Sequence, residues 1–126
     1  MAKIKLGAKP EAFKPVPVKF TMPDGSEGLI MATFRYRTRA EFGQLMNDLG
    51  PTSTPTKPDG SLDFVALYQS ITEKNAKHLL DSLAAWDLED ALTMDNVSAL
   101  ANEVPAACAA LASAYSAACQ EGRLGN

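Results

Sequence analysis

The sequence has few of the residues that build metal, redox or disulfide-held sites. Its 126 residues include two cysteines and one histidine. If Cys108 and Cys119 lie on one continuous helix, they are roughly 16 Å apart, well beyond the reach of a disulfide. Neither belongs to a Cys-x-x-Cys pair, and His78 has no second ligand nearby, so we expect no zinc site. Both cysteines are predicted to be small, buried apolar residues.

Long apolar runs and catalytic motifs are also missing. No stretch approaches the length that spans a membrane, and Met1 to Leu6 lacks the apolar core of a signal peptide. There is no glycine-rich phosphate loop, no His-Glu-x-x-His and no nucleophile elbow. We therefore expect a cytoplasmic protein with no membrane segment, no cofactor and no enzymatic activity.

One acidic cluster has side chains that could bind a metal ion. Asp87, Glu89 and Asp90 follow the single tryptophan, and three close carboxylates can bind a hard cation. They lack the spacing and the glycine of a calcium loop. Acids that precede a helix also interact favourably with its dipole, so we favour this interpretation over a metal site.

The chain has the composition of an ordinary soluble globular domain, but its charge is divided. Hydrophobic residues make up 46% and charged residues 21%, typical of a protein with one modest core. Residues 1–39 carry eight basic and three acidic side chains, whereas residues 40–126 carry four and twelve, giving net charges of +5 and −8. The opposite charges of the two regions either steer charged partners towards the protein or simply lie on solvated surfaces.

The N-terminal part is predicted to be a flexible basic arm followed by a β-hairpin. Prolines and alternating lysines in residues 1–15 argue against a helix or a central strand. A turn is favoured at Pro23-Asp24-Gly25, between two stretches of alternating hydrophobicity. The inward-facing residues of the two strands are predicted to be Val16, Val18, Phe20, Met22, Ile30, Ala32, Phe34 and Tyr36. A lone hairpin is marginal in water, so helices must cover this face.

Two of about four helices are predicted in the middle of the chain. Thr38 and Glu41 form a capping box that opens the first helix, which ends at Gly50-Pro51. Its inward residues are predicted to be Phe42, Leu45, Met46 and Leu49. Residues 50–61 are rich in Pro, Thr and Gly and predict a mobile loop. Ser61 is the predicted cap of the second helix, whose apolar stripes comprise Phe64, Leu67, Tyr68 and Ile71, then Ala76, Leu79, Leu80 and Leu83.

The C-terminal part predicts a corner and two further helices. Trp86 continues the apolar stripe of the second helix and is predicted to lie at a corner between two helices. We predict that its side chain anchors the core rather than forming a binding hot spot. Thr93 caps the third helix, and Val104-Pro105 separates it from a fourth helix that Gly122 ends. The fourth helix carries the stripe Cys108, Leu111, Ala112, Tyr115 and Cys119. The predicted fold is α+β, mainly α, with residues 16–126 forming one domain.

An ordered set of residues resembles a known family. The set comprises Ala85-Trp86-Asp87-Leu88, Leu100, Glu103-Val104-Pro105-Ala106-Ala107, Tyr115, and the ending Glu121-Gly122-Arg123-Leu124-Gly125-Asn126. The opening residues 1–7 and the hairpin segment 22–37 add to it, whereas the loop at 50–61 does not. Together they resemble tail assembly chaperones of long-tailed bacteriophages.

This resemblance implies a binding protein of the host cytoplasm that is absent from the mature virion. Its expected client is the long, hydrophobic tape measure protein, which it keeps soluble until tail tube protein polymerises around it. Such a chaperone should mask amphipathic helices with an exposed apolar groove. The candidate protein-binding residues are Leu79, Leu83, Trp86, Asp87, Leu88, Leu111, Tyr115, Arg123 and Leu124.

Further partners stay open at this point. The family often makes a longer product by ribosomal frameshifting, and Leu124-Gly125-Asn126 is compatible with a slippery G GGA AAC run. Tail tube protein, this longer form and further copies of the chain are candidate partners.

The alternative hypothesis is a small nucleic-acid-binding module. Its basic edge would comprise Thr33, Arg35, Arg37 and Arg39, beside the arm. However, Phe20, Phe34 and Tyr36 are predicted to face the core, which argues against base stacking.

Overall fold

The computed structural model describes residues 3–123, and in this part of the chain it contains one sheet and four helices. The strands are β1 (Val16–Thr21), β2 (Glu27–Phe34) and β3 (Leu83–Trp86), paired antiparallel in the order β1-β2-β3. The helices are α1 (Arg39–Leu49), α2 (Phe64–Ser82), α3 (Met94–Glu103) and α4 (Pro105–Glu121). The predicted α+β, mainly α, fold class is confirmed.

The predicted hairpin and its two faces are confirmed. Val18, Ile30, Ala32 and Phe34 are buried, whereas the alternate residues of β1 face solvent. At the turn, the Ser26 backbone N–H and hydroxyl both donate to one Asp24 carboxylate oxygen, at 2.9 and 2.6 Å. Gly25 has a φ of 88°, a conformation that side chains with a Cβ rarely adopt.

The predicted helical corner at Trp86 is wrong. Helix α2 ends at Ser82, and Leu83–Trp86 instead forms β3, with Ala32 opposite Trp86 and Phe34 opposite Leu83. An Ala-rich segment favours a helix locally, but the free hydrogen-bonding edge of β2 offers it a strand partner. Trp86 packs partly buried against the core, and its indole N–H donates to the Asp90 carbonyl at 2.8 Å.

The predicted cap of α1 is confirmed, whereas the predicted cap of α2 is not. The Thr38–Glu41 capping box is confirmed, with the Glu41 N–H donating to Thr38 Oγ1 at 3.2 Å and the Thr38 N–H to Glu41 Oε1 at 2.9 Å. The predicted cap of α2 was wrong, because Asp63 rather than Ser61 accepts the Ala66 N–H, at 3.1 Å. Ser61 instead donates to the Asp59 carboxylate in a preceding turn.

In α1, two of the four predicted inward residues are buried. Phe42 and Leu45 are core residues, and Leu49 is half-buried. The prediction for Met46 was wrong, since its side chain is exposed. The α1 stripe is therefore narrower than the sequence pattern suggested.

The two C-terminal helices match their predicted signals. Thr93 caps α3, Pro105 occupies the first position of α4, and Gly122 ends α4 in the left-handed conformation at a φ of 74°. Cys108 and Cys119 are buried free thiols, as predicted. Burial raises the pKa of Cys108 to about 11, as expected for a thiol that packs as a small apolar group.

Tyr115 of α4 joins the helices to the sheet. Its hydroxyl donates to the Arg35 carbonyl at 3.0 Å and accepts from the Arg37 guanidinium at 2.7 Å. Its ring is completely buried, with the Phe34 ring centroid 5.2 Å away. Burial raises the pKa of Tyr115 to about 12, so the hydroxyl stays protonated and able to donate.

The predicted arm contacts the body at its C-terminal end. Residues 3–11 are exposed, but Phe13 is buried and its N–H donates to the Phe34 carbonyl at 2.9 Å. The Tyr36 N–H donates to the Glu11 carbonyl at 3.1 Å.

In the loop at 50–61, the Lys57 N–H donates to the Ser61 carbonyl at 2.8 Å. The flexibility of the arm and the mobility of the loop stay predictions.

Candidate functional site

A wide concave surface of the described chain lies between α2 and α3. We call it the α2–α3 groove, with a volume of about 940 Å³. From α2 it is lined by Phe64, Val65, Tyr68, Gln69, Thr72 and Glu73, and from α3 by Asp95, Ser98, Ala99, Asn102 and Glu103.

The N-terminal part of the α2 wall is apolar and largely exposed to solvent. The side chains of Phe64, Val65 and Tyr68 are 59%, 70% and 63% exposed. Asp63 caps the helix at its first turn and so keeps these residues helical. Large apolar side chains that remain in water on one helix face mark a candidate binding surface.

The α3 wall explains why the groove stays open. Val97 and Ala101 point into the core, which turns Ser98, Ala99 and Asn102 towards α2. These side chains are too small to fill the space beside Tyr68. The two helices therefore leave a groove on this side while they pack together elsewhere.

The charged side chains of the groove are all acidic. Glu73, Asp95 and Glu103 are exposed, and none of them forms an ion pair within residues 3–123. A ligand with an apolar face and basic flanks would be complementary to this surface.

A second, smaller pocket adjoins the groove. Its volume is about 300 Å³, and it shares Ala99 and Glu103 with the groove. Trp86, Leu88, Leu100 and Val104 contribute its large apolar side chains. Apolar surface thus continues around α3 from the groove to the end of β3.

The predicted protein-binding residues occupy very different places. Leu79, Leu83, Leu111 and Tyr115 are completely buried, so a partner can reach them only if the core opens. Trp86 and Leu88 are half-buried and line the smaller pocket. The role of all these residues in partner binding stays a prediction.

The remaining three candidates lie towards the surface or outside the described residues. Asp87 is exposed and accepts the Met31 N–H at 2.9 Å, which supports the edge of the sheet. Arg123 is exposed and lies 4.0 Å from the Glu121 carboxylate. Leu124 lies outside the described residues.

The predicted basic edge is partly engaged in the fold. The Arg37 guanidinium donates to the Asp81 carbonyl at 3.0 Å and to Tyr115, and Arg39 donates to the Gln120 carbonyl at 2.7 Å. Phe13 and Phe34 are buried. Arg35, directly after β2, is exposed, and the contacts of the other residues argue against a stacking platform for nucleic acid.

The described chain was predicted to have neither a metal site nor a membrane-spanning helix. Between residues 3 and 123, no group of three or more His, Cys, Asp or Glu side chains is placed to hold a metal ion. No single helix there is long and apolar enough to cross a membrane; α3 and α4 meet that test only as a pair, bent by 112°.

Sequence reasoning missed the groove because it treated the Phe64, Leu67, Tyr68 and Ile71 stripe as core. One available signal was the contrast between Phe64 and Tyr68 on α2 and the small residues Ser98, Ala99 and Asn102 on α3. That signal becomes informative only when the two helices are known to be neighbours.

Comparisons with known proteins agree with the sequence resemblance. A family model described as phage tail assembly chaperone matches residues 1–126, the whole chain. No match was found among curated proteins or among solved structures. The match along its full length establishes that the chain belongs to the phage tail assembly chaperone family.

Proposed function

We propose that this protein binds the tape measure protein of its phage, keeps it soluble and promotes polymerisation of the tail tube around it. Family membership supports a role in tail assembly. The observation that carries the finer proposal is the α2–α3 groove, where Phe64, Val65 and Tyr68 remain exposed beside small residues of α3. A helix-in-groove contact uses this kind of surface.

The proposed mechanism is reversible shielding. A long helical client that exposes apolar stripes aggregates in water, and covering one face of each stripe removes that surface from solvent. The acidic side chains beside the groove would favour client segments with lysine or arginine next to the apolar residues. Polymerising tube protein would then displace the chaperone, which acts in the host cytoplasm and is absent from the mature virion.

Co-expression tests this proposal directly. The chain is produced together with the long tape measure protein encoded downstream, and the soluble fraction of the client is measured. The double variant Val65→Ser and Tyr68→Ser removes two groove contacts of about 1 kcal/mol each. It should weaken client binding roughly 30-fold and so lower the soluble fraction of the client.

A matched control separates the groove from general surface hydrophobicity. Leu29→Ser with Met46→Ser changes two other exposed apolar residues, one on β2 and one on α1. This control should keep the client as soluble as the wild type does. If a folded groove variant protects the client equally well, the groove is not the client site.

Tail tube protein and a frameshifted longer form are further proposed partners. The proposed slippery sequence lies at Leu124-Gly125-Asn126, outside the described residues. A Gly125 codon other than GGA, or an Asn126 codon other than AAC, would remove that heptamer.

A further inference from the structure

The start of the described chain carries apolar side chains that are almost fully exposed to solvent. Ile4 and Leu6 are 91% and 92% exposed, and they alternate with Lys3 and Lys5. A turn closed by the Ala8 N–H and the Lys5 carbonyl at 3.3 Å places Leu6 at its second position. We call residues 3–9 the docking arm.

The docking arm and the α2–α3 groove have complementary chemistry. The arm combines two aliphatic side chains with Lys3 and Lys5, whereas Lys9 already lies 3.7 Å from the Glu41 carboxylate of its own chain. The groove combines exposed apolar side chains of α2 with three carboxylates that form no ion pair within residues 3–123. The same complementarity extends over the molecule, since residues 1–39 have a net charge of +5 and the remainder −8. Attraction between such oppositely charged regions speeds and orients association.

The arm does not occupy the groove of its own chain, since Ile4 and Leu6 remain exposed and do not line it. The base of the arm is held just beyond β2, where the Tyr36 N–H donates to the Glu11 carbonyl. The neighbouring Arg35 N–H donates to the Ser82 carbonyl at 2.8 Å, so the base lies near the end of α2. Tyr68 lies fourteen residues before Ser82 on α2, about 21 Å along the helix axis. Measured from Glu11, Leu6 can reach at most about 17 Å and Ile4 at most about 25 Å, and neither residue lines the groove of its own chain.

We propose that the docking arm of one copy binds in the α2–α3 groove of a second copy. Ile4 and Leu6 pack against Val65 and Tyr68, and the arm lysines lie near the acidic side chains of the groove. The contact buries both exposed apolar surfaces at once. It therefore protects the groove while no client is bound, and a client helix displaces the arm.

This inference rests on the proposed function only for the displacement step, because self-association itself needs no client. Sedimentation of the purified chain over a range of concentrations measures it. The double variant Ile4→Asp and Leu6→Asp should weaken self-association roughly 100-fold, since it removes two buried aliphatic side chains. Lys14→Glu changes charge outside the docking arm and serves as the control, with at most a few-fold effect.

Charge reversal distinguishes the arm–groove contact from other modes of association. Lys3→Glu with Lys5→Glu should weaken self-association several-fold, as should Glu73→Lys with Glu103→Lys. A mixture of the two charge-reversed chains should recover association, because each provides the complement of the other's changed surface. All four positions are exposed, so the variants keep the fold.

A mixing experiment assigns the contact to two chains. The Ile4→Asp, Leu6→Asp chain keeps its groove, and the Val65→Ser, Tyr68→Ser chain keeps its arm, so together they should form a mixed complex that neither forms alone. A chain that stays monomeric at all concentrations, or self-association unaffected by the arm variants, would overturn the proposal. If the Val65→Ser, Tyr68→Ser chain loses client binding but self-associates like the wild type, the proposed function stands and this inference is rejected.

Discussion

The two halves of α2 have similar apolar patterns but opposite surroundings. In the C-terminal half, Ala76 and Leu79 are completely buried against α4 and the sheet, and His78 is nearly so. In the N-terminal half, Phe64, Val65 and Tyr68 are mostly exposed. Helical periodicity identifies an apolar face, but the elements packed against that face decide whether it becomes core or binding surface.

The largest expected difference between these halves concerns stability. Leu79→Ala leaves a cavity in a close-packed core and should lower the free energy of unfolding by about 3 kcal/mol. Val65→Ala in the exposed half should change it by less than about 0.5 kcal/mol. Urea denaturation followed by circular dichroism measures both values, and equal losses would show that the N-terminal half is also packed in solution.

A smaller effect is expected at the helix start. Asp63→Ala removes the acceptor for the Ala66 N–H and should lower the free energy of unfolding by about 1 kcal/mol. Amide hydrogen exchange should become faster in the first turns of α2 and remain unchanged near Leu79.

Asp63→Asn provides the control for this cap, because its side-chain oxygen can still accept the hydrogen bond. We expect the Asn variant to retain most of the wild-type protection. If the Asp63→Ala variant loses protection from hydrogen exchange equally along all of α2, the two halves of the helix do not open independently, which contradicts this prediction.

The smallest effect concerns pH. Burial, and then the positive charge of Arg37, lower the pKa of His78 below its ordinary value of 6.5, while Asp81 opposes this shift. The unfolded chain therefore takes up this proton first as the pH falls. The stability that neutral His78 contributes is complete above about pH 6.5 and decreases as the pH drops towards the folded pKa.

Comparison with His78→Gln isolates this titration from that of the carboxylates. Between pH 7.5 and 5.5, wild-type stability should decrease more than that of the variant. Equal slopes in urea denaturation would mean that His78 titrates alike in the folded and unfolded states.

Much of the fold was predictable because its signals are local. The hairpin alternation, the Thr38–Glu41 capping box, Pro105 at the start of α4 and Gly122 at its end each depend on a few neighbouring residues. The structure confirms each of these predictions. Asp63 was missed as a cap because Ser61 is an equally good cap by type, and only the bond to Ala66 distinguishes them.

The candidate site was much less predictable. Leu79, Leu111 and Tyr115 are predicted binding residues because they are large and apolar, but large apolar residues are also the ones that fill the core, where the structure places all three. The groove depends on contact between α2 and α3, whose facing residues are about thirty positions apart in the chain. Periodicity within one helix carries no information about that pairing.

By itself, the sequence determined the hairpin, the helix-ending signals, the divided charge and the family, because these depend on residue type and order along the chain. Only the tertiary structure decided that Leu83–Trp86 is a strand and that Phe64, Val65 and Tyr68 stay exposed. Both outcomes depend on distant partners: β2 supplies hydrogen bonds to β3, whereas the small residues of α3 leave the start of α2 uncovered.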